Sequence, residues 1–152
     1  MKKIRIMLLT LCFVFTAGLS VHAAPGDIAY ADFKKIEDEY TYAKNAYKQI
    51  DNKVLELQQF VIDKDKQYKS IDSPINKKNF EDRTQQEYKV KEEELIKFKM
   101  TKEEEIYNNI MNATKAVAAQ KSIPLVLDYR VVFTGGIDIS DDIIRYLNSA
   151  KK

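Results

Sequence analysis

The chain has 152 residues and a formal net charge of +2, with one Cys, one His, four Gly, three Pro and no Trp. Cys12 and His22 both fall within the first 23 residues. The remaining chain therefore excludes disulfides, zinc sites, thiol nucleophiles and histidine-based catalytic triads.

Those first 23 residues read as an export leader. Met1-Lys2-Lys3-Ile4-Arg5 is a positively charged start, Ile6 to Leu19 an apolar run, and Val21-His22-Ala23 has the small-residue spacing of a cleavage site. Cys12 lies mid-run behind Leu11, where a lipidated cysteine would follow a small residue, so secretion is expected and lipidation is not. Cleavage after Ala23 leaves 129 residues, with 22 basic against 23 acidic side chains and a net charge near −1. That balance argues against nucleic acid as a partner, because phosphate binding needs a basic surplus.

Asp27-Ile28-Ala29-Tyr30-Ala31-Asp32 is a short strand candidate. No glycine occurs between Asp27 and Thr134, and proline interrupts that stretch only at Pro74 and Pro124. Apolar residues then recur at 3,4 spacing: Phe33, Ile36, Tyr40, Ala43, Tyr47, Ile50, Val54, Leu57 and Val61, with Tyr68 and Ile71 resuming after Lys64. This heptad seam predicts one coiled-coil-like helix from Phe33 to Ile71, about 58 Å long. Ser73-Pro74 marks a bend near residues 70–77.

A second helix is expected from near Lys78 to Ala119, with a looser seam of Phe80, Tyr88, Leu95, Phe98, Ile106, Ile110, Ala113 and Val117. Glu87 to Lys91 and Glu93 to Lys97 stand at supportive helical spacing. Two helices of similar length joined by a short turn run back antiparallel, so residues 34–119 read as a helical hairpin. Lys64 and the Phe98–Ile106 stretch depart from the heptad step and are expected bending points.

After the hairpin, Ile123-Pro124-Leu125-Val126-Leu127-Asp128 and Val131-Val132-Phe133 are strand candidates, and Gly135-Gly136 a turn. Ser140-Asp141-Asp142 is expected to cap a helix from Asp141 to Asn148, whose inward face is Ile143, Ile144 and Leu147. The fold class is mainly α with a small β part. Residues 24–33 and 120–152 form a β-rich body too small to supply much core alone. With no disulfide or metal to support it, oligomerisation is expected.

Sharper readings fare poorly. Glu92-Glu93-Glu94 and Glu103-Glu104-Glu105 are solvated helix faces, because adjacent helical residues diverge by about 100° and cannot converge on one point. Asp138, Asp141 and Asp142 lack the long loop and central glycine of a calcium hand and read as capping residues. Nine tyrosines raise carbohydrate or base stacking. Tyr40, Tyr47 and Tyr68 fall on the seam and Tyr30 on a strand, however, and packing accounts for them. Tyr42, Tyr107, Tyr129 and Tyr146 are not placed by pattern. No catalytic residue, metal or cofactor is expected.

The order of elements resembles the Skp/OmpH family of periplasmic chaperones. The resemblance rests on the export leader, on Ile28-Ala29-Tyr30-Ala31-Asp32-Phe33 leading into a long coiled coil, and on the C-terminal run. That run is Ile123 to Asp128, Val131 to Ser140, and Asp142-Ile143-Ile144-Arg145-Tyr146-Leu147-Asn148. It implies a homotrimer whose terminal segments form a central β-body. Ile28, Tyr30, Leu125, Leu127, Val131, Phe133, Ile143, Ile144 and Leu147 are the expected oligomerisation residues. The hairpins would project as tentacles around a cavity that holds unfolded outer-membrane proteins without ATP. Apolar residues off the seam or near the bend, Phe60, Ile62, Ile75, Phe80, Val90 and Met100, are the expected client contacts. The better-known members are strongly basic. This chain departs from them, so any membrane-surface contact is expected to be weak. The rival expectation is an adaptor coiled coil that recognises one folded envelope partner.

Overall fold

A computed structural model describes residues 27–149; the leader lies outside them. The order is β1 (Ile28–Ala31), α1 (Phe33–Glu39), α2 (Thr41–Lys69), α3 (Pro74–Gln120), β2 (Leu125–Asp128), a 3-10 turn (Tyr129–Val131), β3 (Ile137–Asp138) and α4 (Ser140–Ser149).

The three strands form one sheet in the order β2-β1-β3, parallel throughout. Parallel pairing needs a long connection. Here the hairpin of α2 and α3 is part of the crossover from β1 to β2. In β1, Ala29 and Ala31 face inward and are buried, packed in one core with Ile139, Ile143 and Val117. Period-two alternation puts Ile28 and Tyr30 on the other face.

The expected helix from Phe33 to Ile71 is in fact two. Tyr40 leaves the helical region, with φ −72° and ψ 115°, yet its N–H still bonds the Ile36 carbonyl and its carbonyl still accepts from Lys44. The groups orphaned by the break are satisfied from α4. The Thr41 N–H donates to Asn148 Oδ1 (2.9 Å), and Asn148 Nδ2 donates to the Glu39 carbonyl (3.1 Å). Heptad spacing passes through Tyr40 without interruption because the residue is buried on the same stripe; only its ψ differs.

The second helix begins at Pro74 itself, at the break that Ser73-Pro74 marks and slightly ahead of Lys78, with proline in its first turn. It ends in a Schellman motif. The Ser122 N–H bonds the Ala119 carbonyl and the Ile123 N–H the Ala118 carbonyl, with Ser122 left-handed at φ 56°.

The Val131–Phe133 strand is absent. Asp128 instead accepts the Arg130 N–H and clasps the Arg130 guanidinium, which turns the chain into a 3-10 turn and leaves Val131 and Phe133 exposed. The third strand forms at Ile137–Asp138, after a turn in which Gly135 and Gly136 both have positive φ. A Cβ on Gly136 would lie 3.3 Å from both the Ile28 carbonyl and the Tyr30 ring. Ser140 does not cap its own helix. Its Oγ accepts the Asp32 N–H (2.9 Å) and donates to Asp138, which also accepts the Ser140 N–H. Asp32 in turn caps α1 by accepting the Lys35 N–H.

Candidate binding surfaces

Burial divides the hairpin in two. Near the body, Ile36, Ala43, Ala46, Ile50, Ile106, Ile110, Ala113 and Val117 are buried. Between Ile50 and Ile106 no residue is buried. The distal seam is built from half-buried rings with cations over them. Lys64 lies over Phe60 (5.1 Å) and Phe80 (5.5 Å), Lys91 over Phe60, Lys77 over Tyr68 and Lys53 over Phe98. Lys64 also reaches across to Glu87 (2.5 Å) and holds that carboxyl below its usual range. Lys64, read as a polar interruption, is therefore a packing residue of the seam.

This arrangement corrects the seam itself. Val61 is 47% exposed, and Phe60 takes the inward position. A straight helix drifts against the heptad, so the 4,3 step expected after Leu57 becomes 3,4. Phe60 and Phe80 thus sit on the seam, half-buried, and share a groove of about 730 Å³ with Tyr68 and Tyr88. Thr84 Oγ1 is buried there with no partner among the described residues. Ile62, Ile75, Val90 and Met100 are all exposed, Ile75 most of all at 73%.

The sequence reading missed Leu55, Ile96 and Tyr107, which are exposed as well. Leu55 stands seven residues before Ile62, and Ile96 and Tyr107 stand four before and seven after Met100. Each pair shares a helix face, a spacing that could have revealed the stripe.

At the other end, register aligns Ile28 with Leu125 and Tyr30 with Leu127 on the sheet face away from the helices. Ile28 and Leu125 are exposed, Tyr30 and Leu127 half-buried, and Val131 and Phe133 exposed beyond them. Parallel sheets are ordinarily covered on both faces; among the described residues this one is covered on one. Ile143, Ile144 and Leu147 are buried within the chain's own core instead.

Several of the acidic residues are occupied as surface pairs and caps. Glu103 pairs with Lys99, Glu105 with Lys102 and Tyr42, and Asp141 with Lys35. Burial pushes the Asp142 carboxyl up, but Lys121 (2.7 Å) and Arg145 outweigh it and hold the group below its ordinary value. Arg130 holds half-buried Asp128 down to about 2. The Tyr47 hydroxyl donates to Glu37 (2.6 Å), and burial followed by that bond raises its pKa. Among the described residues no group of three or more His, Cys, Asp or Glu could hold a metal ion, and no helix is long and apolar enough to cross a membrane.

No protein-family model and no curated protein matches the sequence. The structure does match a solved one. The crystal structure of an OmpH-like outer membrane chaperone candidate from Caulobacter crescentus superposes with a TM-score of 0.51 at 12% identity. The match covers 86% of this chain and 88% of that one. The two chains share a fold: a helical hairpin standing on a small sheet.

Proposed function

We propose that this chain is a periplasmic holdase that binds unfolded outer-membrane β-barrel proteins and keeps them from aggregating without ATP. In this reading residues 1–23 are removed on export. Residues 24–33 and 120–152 form an oligomerisation body, and residues 34–119 form the tentacle. The observation that carries it is the distal hairpin, which has no buried residue between Ile50 and Ile106 yet displays Leu55, Ile62, Ile75, Val90, Ile96 and Met100 to solvent. An unfolded barrel exposes alternating apolar side chains and unpaired strand edges. Separated apolar contacts among mixed charges hold such a client by many weak interactions and release it when it folds. The shared fold with an OmpH-like protein supports the same reading.

The sheet face left open among the described residues supports self-association. Ile28, Tyr30, Leu125 and Leu127, with Val131 and Phe133, form an apolar surface that a second and third copy would cover. A homotrimer encloses a cavity between three hairpins. Nucleic acid has no part in this account, and lipid-surface contact is weak at a net charge near −1.

The test replaces Ile62, Ile75, Val90 and Met100 together by Gln. All four are exposed, so the fold survives, and the variant is expected to lose most of its capacity to keep a diluted, unfolded barrel soluble. Undiminished capacity in a folded variant contradicts the holdase. Tight one-to-one binding of a single folded envelope protein, unaffected by the four changes, supports the adaptor instead.

A further inference from the structure

A cleft of about 460 Å³ opens where the helix break at Tyr40, the facing stretch of α3 and the end of α4 meet. That is within the size range of small-molecule sites. It shares no exposed residue with the holding stripe or with the uncovered sheet face. We infer that it binds a neutral saccharide of one or two pyranose rings.

The lining excludes charged ligands. None of its ten residues carries a charge, in a chain that is 32% Asp, Glu, Lys and Arg. The nearest charges, Lys102 and Glu105 at the Tyr42 hydroxyl, are paired with each other (2.7 Å), so an anion or cation entering the cleft would lose hydration and meet no unpaired countercharge on its lining.

Its polar groups are carboxamides. Asn45, Asn109, Asn112 and Asn148, four of the chain's eight asparagines, line this one cleft. Each offers paired donors beside an acceptor, the combination that sugar hydroxyls match because each hydroxyl both donates and accepts. Asn148 is committed to the backbone at the helix break, and Asn109 makes one long contact (3.4 Å) to the Tyr40 hydroxyl. No side-chain hydrogen bond engages Asn45 or Asn112 among the described residues, and both are exposed.

The apolar surface comes from rings. Tyr146 presents an exposed ring from α4 and Tyr42 a half-buried one, with the buried Tyr40 ring 5.7 Å behind Tyr42. A pyranose has one face of C–H groups that lies flat on such a ring while its rim hydroxyls reach the carboxamides. An extended peptide fits less well. It is recognised through an open strand edge or a long groove, whereas this cleft is short and walled by helices.

The test titrates isotope-labelled protein with N,N′-diacetylchitobiose and with cellobiose, following amide and side-chain carboxamide resonances. At least one disaccharide is expected to give saturable shifts at Asn45, Asn109, Asn112 and Tyr146, with millimolar half-saturation. The N45A/N112A variant removes two exposed carboxamides and should weaken that binding by about tenfold or more. Y146A, also at an exposed residue, should weaken it independently. Both variants should retain dispersed spectra and full client-holding capacity, so failure here is separable from failure of the holdase. Absence of saturable shifts with either sugar overturns the proposal. So do affinities unchanged in both variants, or equal shifts from a neutral tetrapeptide.

Discussion

Asn148 Oδ1 accepts the Thr41 N–H at 2.9 Å while its Nδ2 donates to the Glu39 carbonyl at 3.1 Å, so one carboxamide from the last helix splices a break in the first. The relationship spans more than a hundred residues and ties the hairpin's direction to the docking of α4. Replacing Asn148 by Ala leaves both backbone groups unpartnered. N148A is expected to lower unfolding free energy by about 1–2 kcal/mol, read from urea midpoints. An unchanged midpoint means that water serves both groups equally well.

Ser140 performs the corresponding task at the body. Its hydroxyl accepts the Asp32 N–H, and the residue is fully buried. S140A strands a buried donor and is expected to destabilise by about 1–3 kcal/mol. S140T retains the hydroxyl and should recover part of the loss only if the added methyl is accommodated.

Ser122 holds a left-handed conformation at φ 56° in the Schellman motif that ends α3. Glycine enters that region without a Cβ penalty. S122G should therefore raise stability by about 0.5–1 kcal/mol. A loss of stability in urea titrations contradicts this account of the cap.

Much of this was legible in the sequence, and the failures share a cause. The hairpin, the bend at Ser73-Pro74, the first strand and the buried face Ile143, Ile144 and Leu147 all follow from local periodicity and punctuation. The break at Tyr40 does not, because its partner Asn148 is remote and the apolar spacing runs on unaltered. Val131 to Phe133 has strand propensity, but the Asp128–Arg130 clasp imposes a turn. Phe60 displaced Val61 from the seam as the straight helix drifted against the heptad, and the Lys64 and Lys91 cations over its ring leave no mark in a hydrophobic pattern. Composition indicated the tyrosines without saying which would converge. Tyr42 and Tyr146 line one cleft only once α4 has docked against α1 and α3.

Asp142 makes stability depend on acid in a definite direction. Lys121 and Arg145 hold its folded pKa below the unfolded value of about 3.9, so the stabilisation is complete above that value. It is lost as pH falls through the lower, folded pKa. Wild-type urea midpoints should drop between about pH 5 and pH 2, and D142N should show a shallower drop. Identical pH profiles contradict the assignment.

Light scattering as a urea-unfolded outer-membrane barrel is diluted into ATP-free buffer, with three copies of this chain per barrel, tests the holdase most directly. The account predicts suppressed scattering and a soluble complex with the mass of three chains plus one barrel. Unchanged scattering from a folded, associated protein contradicts it.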